Sequence, residues 1–170
     1  MHEKVVDGFR FMPPTLRAWL RKDIPETDYA GEIPWTTLKK PLSRMMVSLM
    51  TSAGISLKAD PPFDMEREKR EPFWGDPTHR EIPRDTPQDQ IEVSHLHVDT
   101  GFIKEDVNVM LPIGRFAEFE REGLIGGLAP TCYSFYGYQH DFTVLLETTM
   151  PKVAAKMHGE GVDAVVLTPA

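Results

Sequence analysis

The stretch Gly161-Val162-Asp163-Ala164-Val165-Val166-Leu167-Thr168-Pro169-Ala170 decides the fold class. Its β-branched and aliphatic run at 164–167 follows a glycine and an aspartate, and it ends in Thr-Pro. This pattern is typical of a buried parallel strand whose carboxyl end leads into a loop. In open α/β sheets, ligands bind just beyond the carboxyl ends of the strands. The stretch therefore predicts that the chain ends at the edge of an active site and that the sheet is incomplete at the C-terminus.

The remaining patterns predict the partners of this strand. The apolar run at 45–49 predicts the first strand, and alternation at 91–98 predicts another. Residues 106–112 are predicted to be extended. Helical patterns cover 114–122, which ends at Gly123, and 142–159, where Pro151 is best placed at the start of a new helix. Together, these predicted strands and helices indicate an α/β fold, with a mostly parallel sheet and flanking helices.

Proline usage predicts the domain organisation. Fifteen prolines in 170 residues are about twice the usual ~5% share, and they concentrate before residue 90. We therefore expect residues 1–42 to form an irregular N-terminal arm, with one short helix after Pro14. Residues 43–170 are expected to form the α/β domain.

Composition narrows the function classes. A net charge of −7 disfavours non-specific binding to nucleic acid or to an anionic membrane. No apolar run is long enough to span a bilayer, and no secretory leader pattern follows Met1. The single cysteine, Cys132, excludes an internal disulfide, and this usage favours a cytoplasmic protein. Because Cys132 has no charged neighbour in the sequence, we expect it to be buried and unreactive.

The segment Ser94-His95-Leu96-His97-Val98-Asp99 is the strongest candidate for chemistry. If it is a strand, the period of two places His95, His97 and Asp99 on one face. Two imidazoles and a carboxylate could bind zinc or iron. They could equally act as proton donors beside a substrate. A purely structural role, with one histidine bonded to backbone, is the third interpretation.

Two further polar stretches supply candidate residues. In 75–83, Arg80 could hold a substrate carboxylate through paired hydrogen bonds, and Glu81 could hold Arg80 or act as a base. In the Tyr- and Ser-rich stretch 133–138, the hydroxyl groups of Ser134 and Tyr136 could line a pocket. We expect His95, His97 and Glu81 to be catalytic. We expect Arg80, Asp99, Ser134 and Tyr136 to bind substrate.

These residues carry a resemblance to a known family. The segments that carry it are Gly75-Asp76-Pro77-Thr78-His79-Arg80-Glu81-Ile82-Pro83, Ser94-His95-Leu96-His97-Val98-Asp99, Asp106-Val107-Asn108-Val109, Pro112, Glu122-Gly123-Leu124-Ile125-Gly126, Tyr133-Ser134-Phe135-Tyr136-Gly137 and Gly161-Val162-Asp163-Ala164-Val165. In their order and spacing they resemble the component B selenoproteins of the glycine/sarcosine/betaine/D-proline reductase family. The resemblance runs from about residue 43 to the end.

The resemblance implies an oxidoreductase that reductively cleaves a C–N bond at the α-carbon of a small amino acid or amine. It implies a selenocysteine nucleophile, or cysteine in some relatives, about one residue beyond Ala170. Because UGA encodes selenocysteine and also stops translation, a chain that ends at Ala170 is what results if that codon is read as a stop. The chain alone is then expected to lack its nucleophile and to be inactive. It is expected to carry no other cofactor of its own.

The resemblance also implies partners: other reductase subunits, a dithiol or thioredoxin-type reductant, and a pyruvoyl group on a partner in the D-proline branch. A parallel sheet with one flank uncovered would favour an oligomer. Two alternatives stay open: a metal-binding enzyme domain that uses His95, His97 and Asp99, and a non-catalytic binding subunit.

Overall fold

The structure is a computed structural model that describes residues 8–23, 36–71 and 73–170. The chain divides into two compact units, one up to Thr37 and one from Leu38 to Ala170. The first unit contains a 3-10 turn at Gly8–Phe11 and helix α1 at Pro14–Asp23. The predicted boundary between an arm at 1–42 and a domain at 43–170 stays a prediction.

The second unit alternates strands and helices along the chain. Its strands are β1 (Met46–Thr51), β2 (Ile55–Leu57), β3 (His79–Pro83), β4 (Ile91–Val93), β5 (Gly127–Leu128), β6 (Thr131–Phe135) and β7 (Ala164–Thr168). Its helices are α2 (Met65–Arg70), α3 (Gly101–Glu105), α4 (Ile113–Arg121) and α5 (Met150–Gly159). Short 3-10 turns lie at Leu42–Arg44, Gln88–Gln90 and Val107–Val109.

Strand β1 is the centre of a mixed, mostly parallel sheet. Val47 pairs in parallel with both Leu128 and Ala164, so β5 and β7 lie on opposite sides of β1. β6 continues on the β5 side, parallel to β1, and β3 pairs antiparallel with β6. β2 and β4 form a separate antiparallel pair. The predicted α/β class with a mostly parallel sheet is therefore confirmed.

Helices cover both faces of this sheet, as parallel strands require. On one face, Val47 and Leu49 pack with Ile103 of α3 and Ile113 of α4. On the other face, Met50 packs against α5. The residues of this second cluster are Met50, Tyr133, Val153 and Met157.

The first and last strands predicted for the sheet, β1 and β7, form as expected, with one difference. β1 and β7 cover the predicted runs, and they are parallel to each other. β7, however, is not buried on both faces. Ala164 and Val166 pack on the core, whereas Val165 and Leu167 are 40% and 66% exposed. Among the described residues β7 pairs with β1 alone, which makes it one edge strand of this sheet, and β3 is the other.

Local geometry confirms two of the other predictions and contradicts a third. α4 ends before Gly123, whose φ of +71° suits the residue after a helix. α5 starts at Met150 with Pro151 in its first turn, preceded by a π-helical turn at Leu145–Thr149. The prediction that 106–112 is extended is wrong, because the Asp106 side chain accepts a hydrogen bond from Asn108 N at 2.9 Å and forms a 3-10 turn.

No helix among the described residues is long and apolar enough to cross a membrane.

Candidate functional site

Two histidines, a tyrosine and a buried glutamate meet where the parallel strands end. We call Glu68, His95, His97 and Tyr136 the His–Tyr cluster. Tyr136 directly follows the carboxyl end of β6, and Ala53, which forms a bridge with it, lies just after β1. Gly137 N donates to Ser52 O at 3.0 Å, and Ala170 N donates to Ser52 Oγ at 2.9 Å. The cluster therefore adjoins the carboxyl ends of β1 and β6, and Ser52 links this edge to the end of β7.

Tyr136 is the centre of the cluster, because it contacts Glu68 through its hydroxyl and His95 through its ring. Its hydroxyl donates a hydrogen bond to Glu68 Oε2 and accepts one from Leu96 N at 3.2 Å. Its ring stacks on His95 with centroids 4.5 Å apart. The side chain is 1% exposed. A buried tyrosine hydroxyl needs such partners, and here they fix both the ring and its proton.

Glu68 reaches the cluster from α2. Asp64 caps this helix by accepting from Arg67 N at 2.9 Å, and Asp64 N donates to Asp76 Oδ2 at 2.9 Å. Glu68 is 5% exposed, and its two oxygens bind Tyr136 and His97 Nε2, the latter at 2.7 Å. A buried carboxylate is tolerated only when it is hydrogen-bonded in this way.

The histidines lie on an irregular turn and not on a strand. β4 ends at Val93, so the prediction of a strand over 91–98 is wrong in its second half. Ser94 N bonds Gly54 O at 2.9 Å, and His97 N donates to His95 Nδ1 at 3.1 Å, which bends the chain. The two rings still lie together, 6.0 Å apart and nearly perpendicular. They are joined by side-chain contacts and not by the period of a strand.

Burial sets the charge of the inner histidine. Desolvation lowers the pKa of His95, the nearby His97 lowers it further, and the Glu68 carboxylate opposes both. His95 is therefore neutral near pH 7. Burial and the hydrogen bond to Glu68 raise the pKa of Tyr136, so its hydroxyl keeps its proton. The side chain of His97 is 48% exposed, so it is the open end of the cluster.

This arrangement is suited to proton transfer. A hydrogen-bonded series runs from Tyr136 through Glu68 to His97, and the exposed imidazole at its end can reach a small molecule. Tyr138 packs on His97 at 4.2 Å and limits the motion of that ring. Histidine is the usual general acid or base near neutral pH. The geometry therefore supports proton donation or acceptance at His97, with His95 as a neutral neighbour.

Arg80 lies on β3 and is held by the protein itself. Its guanidinium donates to Pro61 O at 2.9 Å, Pro62 O at 3.1 Å and Thr78 Oγ1 at 2.8 Å, and it stacks over the ring of Phe63 at 4.2 Å. A further bond reaches the carbonyl of residue 79. With these donors engaged, a paired clamp on a carboxylate would require existing bonds to break.

The other predicted site residues have partners outside the His–Tyr cluster. Glu81 pairs with Lys156 of α5. Asp99 is exposed and accepts from Gly101 N at 2.9 Å, at the start of α3. Ser134 is fully buried, and its hydroxyl accepts from Ile55 N at 2.8 Å. The structure therefore brings together His95, His97 and Tyr136, but not Arg80, Glu81, Asp99 or Ser134.

The metal alternative has no support in the described part of the chain. There, no group of three or more His, Cys, Asp or Glu side chains is placed to hold a metal ion. Asp99, the third expected ligand, is bonded to a helix start instead. A metal site made by His95, His97 and Asp99 therefore stays a prediction that the described residues do not support.

Cys132 has the environment that its sequence context predicted. It is fully buried in β6, and burial raises the pKa of its thiol to about 12. A thiol in this state holds almost no thiolate near neutral pH. Cys132 is therefore unsuited to act as a nucleophile.

An apolar cavity of about 430 Å³ opens at the same edge of the sheet, on the face covered by α5. It lies between the ends of β1, β6 and β7 and the π-helical turn. Its lining residues are Met50, Ser52, Phe135, Leu145, Leu146, Met150, Leu167, Thr168 and Pro169. Only Ser52 and Thr168 bring polar side chains to it.

Glu68 is the site residue that the sequence did not predict. The stretch 57–75 is polar and broken by prolines, a pattern that is typical of a surface loop. One weak signal exists: Glu68 lies three residues after Met65, the sole apolar residue of α2, and thus on the same helix face. Glu66 and Glu71 in the same segment are exposed, and residue type does not separate them from Glu68.

Comparisons with known proteins agree on one family. The family model described as glycine/sarcosine/betaine reductase selenoprotein B matches residues 23–170. D-proline reductase subunit gamma of Acetoanaerobium sticklandii is 38% identical over 134 residues, which are 79% of this chain and 52% of the relative. Glycine reductase complex component B subunit gamma of Carboxydothermus hydrogenoformans is 29% identical over 136 residues, 80% of this chain and 30% of the relative.

The chain thus spans about half the length of the first relative and less than a third of the second. No solved structure matches the chain. The family model covers most of the chain, including every member of the His–Tyr cluster and both sheet edges. The chain belongs to the glycine/sarcosine/betaine reductase selenoprotein B family.

Proposed function

We propose that this chain supplies the proton-handling half of an amino-acid reductase site. The reaction is the reductive cleavage of a C–N bond at the α-carbon of a small amino acid or related amine. The observation that carries the proposal is the His–Tyr cluster at the carboxyl edge of the sheet, where α/β proteins bind ligands, in a chain of this reductase family.

The reaction requires two electrons and two protons. A dithiol supplies them and becomes a disulfide, one hydrogen goes to the α-carbon, and one goes to the departing amine nitrogen. An amine leaves poorly without a proton, so a positioned acid lowers the barrier. His97 is the residue we assign to this proton, because its ring is half-exposed and backed by Glu68. His95 lies beside it as the neutral neighbour.

The nucleophile comes from outside the described residues. The only cysteine, Cys132, is buried and its thiol pKa is raised. A selenolate or thiolate, when present, supplies the attack on carbon and the link to the dithiol. The residues at this edge fit such a group, since they offer the imidazole of His95 and the hydroxyl group of Ser52. We propose that the chain alone does not catalyse the reaction.

The remaining predicted residues take supporting roles in this proposal. Arg80 anchors the segment that leads into α2, and its stacking on Phe63 supports Tyr136, whose ring is 6.1 Å from that of Phe63. Glu81 fastens β3 to α5 through Lys156. We keep Asp99 and Ser134 as substrate-binding candidates only for a rearranged, substrate-bound state. The expected partners are other reductase subunits, one with a pyruvoyl group in the D-proline branch, and a thioredoxin-type dithiol in the cytoplasm.

The test compares the chain alone with the chain assembled with the polypeptide that carries the selenocysteine or cysteine. Each sample receives dithiothreitol and, in turn, glycine, sarcosine, betaine and D-proline. The proposal predicts one disulfide formed per C–N bond cleaved in the assembled sample, and no cleavage by the chain alone. Cys132→Ser in the assembled enzyme should keep its turnover. Cleavage by the chain alone, lost in Cys132→Ser, would refute the proposal.

A further inference from the structure

Glu68 holds two different groups with its two oxygens. Oε2 accepts the hydroxyl proton of Tyr136, and Oε1 lies 2.7 Å from Nε2 of His97. The carboxylate is almost completely buried, although it lies on a helix of mainly charged residues. Glutamate is rarely buried unless it is bound on both sides. The burial of Glu68 and its two hydrogen bonds therefore indicate that it has a specific role at the proposed site.

The hydrogen bonds determine which nitrogen of His97 carries the proton. The Tyr136 oxygen accepts a hydrogen bond from Leu96 N, so its own proton is directed to Glu68. A carboxylate offers acceptors only, and Nε2 of His97 must therefore donate to it. The Nδ1 atom of a neutral His97 is then without a proton. No hydrogen bond from the described residues occupies this Nδ1.

His95 is also the Nε2–H tautomer, but its occupied nitrogen is Nδ1, whereas the occupied nitrogen of His97 is Nε2. Its Nδ1 accepts the amide proton of His97 at 3.1 Å, so the proton of the neutral ring lies on Nε2. Burial keeps this ring neutral. The pair thus presents one N–H donor, on His95, and one bare nitrogen, on His97, from rings 6.0 Å apart.

We propose that Glu68 is a positioning residue that fixes neutral His97 as the Nε2–H tautomer. The bare Nδ1 then takes up a proton that the dithiol releases, and the imidazolium passes this proton from Nδ1 to the departing amine. The proposal rests on the proposed function for its consequence in catalysis. The tautomer itself follows from the hydrogen bonds and can be measured without turnover.

Glu68→Gln provides a sharp test because Tyr136 would fix the orientation of the new amide. The hydroxyl of Tyr136 still has a proton to donate, so the amide oxygen would face Tyr136. The amide NH₂ group would then face His97, whose Nε2 would have to accept. His97 is expected to switch to the Nδ1–H tautomer, and its bare nitrogen would then face the introduced amide and not the open side.

The experiment labels histidine with ¹⁵N and reads the tautomer of each ring from long-range ¹H–¹⁵N correlation spectra of the 170-residue chain. Wild type should show Nε2–H for both His95 and His97. Glu68→Gln should switch His97 alone to Nδ1–H. Glu66→Gln, on the exposed side of the same helix, is the matched control and should change neither ring. An unchanged His97 in a folded Glu68→Gln variant would overturn the proposal.

A double variant separates the proposed cause from general damage. In Tyr136→Phe with Glu68→Gln, nothing orients the amide, so its oxygen can face His97 again. The Nε2–H form should then return in part. If Glu68→Gln does not fold, Tyr136→Phe alone still tests the assignment, because the unaltered Glu68 should keep His97 as Nε2–H. Loss of that tautomer in Tyr136→Phe would overturn the proposal.

Turnover in the assembled reductase gives the catalytic consequence. Glu68→Gln should lower kcat by about 100-fold or more with little change in KM, as expected when a histidine holds the wrong tautomer. A tautomer switch without loss of kcat would confirm the role of Glu68 but refute His97 as the proton donor. Loss of kcat without a switch would refute the positioning role and leave the proposed function standing.

Discussion

Replacing Gly54 with alanine tests how the histidine segment is attached to the sheet. Gly54 follows β1, has a φ of +65°, and binds Ser94 through the carbonyl oxygen. A Cβ at Gly54 would lie 2.2 Å from Ser94 O, a backbone atom that cannot rotate away. The substitution must therefore strain residue 54 and also move the segment that carries His95.

The expected loss of stability follows from two terms. A left-handed conformation costs a residue with a Cβ roughly 1–2 kcal/mol. The displaced Ser94–Gly54 hydrogen bond contributes about 0.5–1.5 kcal/mol. Gly54→Ala is therefore expected to lower the free energy of unfolding by about 1.5–3.5 kcal/mol. It should also separate the rings of His95 and Tyr136.

Gly123→Ala is the matched control. Gly123 has a similar φ of +71°, but a Cβ there would meet no atom within 4 Å. Only the conformational term of roughly 1–2 kcal/mol applies. Urea unfolding, followed by circular dichroism, measures both variants. Equal losses in Gly54→Ala and Gly123→Ala would refute the reasoning, because the close backbone contact would then contribute nothing.

Three further outcomes follow from the structure. Because the pKa of Cys132 is raised to about 12, its thiol should resist iodoacetamide at pH 8 in the native protein and react only after unfolding, and rapid native labelling would contradict this. Lys40 and the Met46 amide hold the pKa of Asp163 below its ordinary value of 3.8, so its contribution to stability is present above that pH and is lost on acidification. The stability difference between wild type and Asp163→Asn should therefore be full at pH 6 and shrink below pH 3.8, and a difference that persists at pH 2 would count against the assignment. Arg80→Lys should lower the urea midpoint without raising KM in the assembled enzyme, because Arg80 binds backbone carbonyls, and a raised KM at unchanged stability would restore it as a substrate clamp.

The sequence was sufficient for the sheet because the strand runs are apolar and local. β1 and β7 are mostly apolar segments, and their parallel pairing follows from the intervening helices. The exposure of Leu167 was not predictable, since a run of apolar residues looks the same in a central strand and in an edge strand. The turn at 107–109 was missed because one aspartate side chain overrode the alternation of its neighbours.

The sequence predicted only part of the site, because residue type identifies candidate groups but not the long-range contacts between them. His95 and His97 stand out by residue type, and Tyr136 stands out in a hydroxyl-rich stretch. Glu68 meets Tyr136 across 68 positions of the chain, and such a contact leaves no periodic signal. Arg80 was expected to bind a substrate, but nearby carbonyl oxygens of residues 61 and 62 engage its donors. Sequence patterns identify candidate groups, whereas long-range packing decides which of them meet.

The most direct test of the account is the rate of the first turnover in the assembled reductase with His97→Asn. Amine release is followed by rapid quench, with the reduced enzyme in excess over substrate. His158→Asn, an exposed histidine of α5 outside the cluster, serves as the control. The account predicts a rate at least about 100-fold slower for His97→Asn, with wild-type stability, and an unchanged rate for His158→Asn. Wild-type rates for both variants would contradict the assignment of the proton transfer to the His–Tyr cluster.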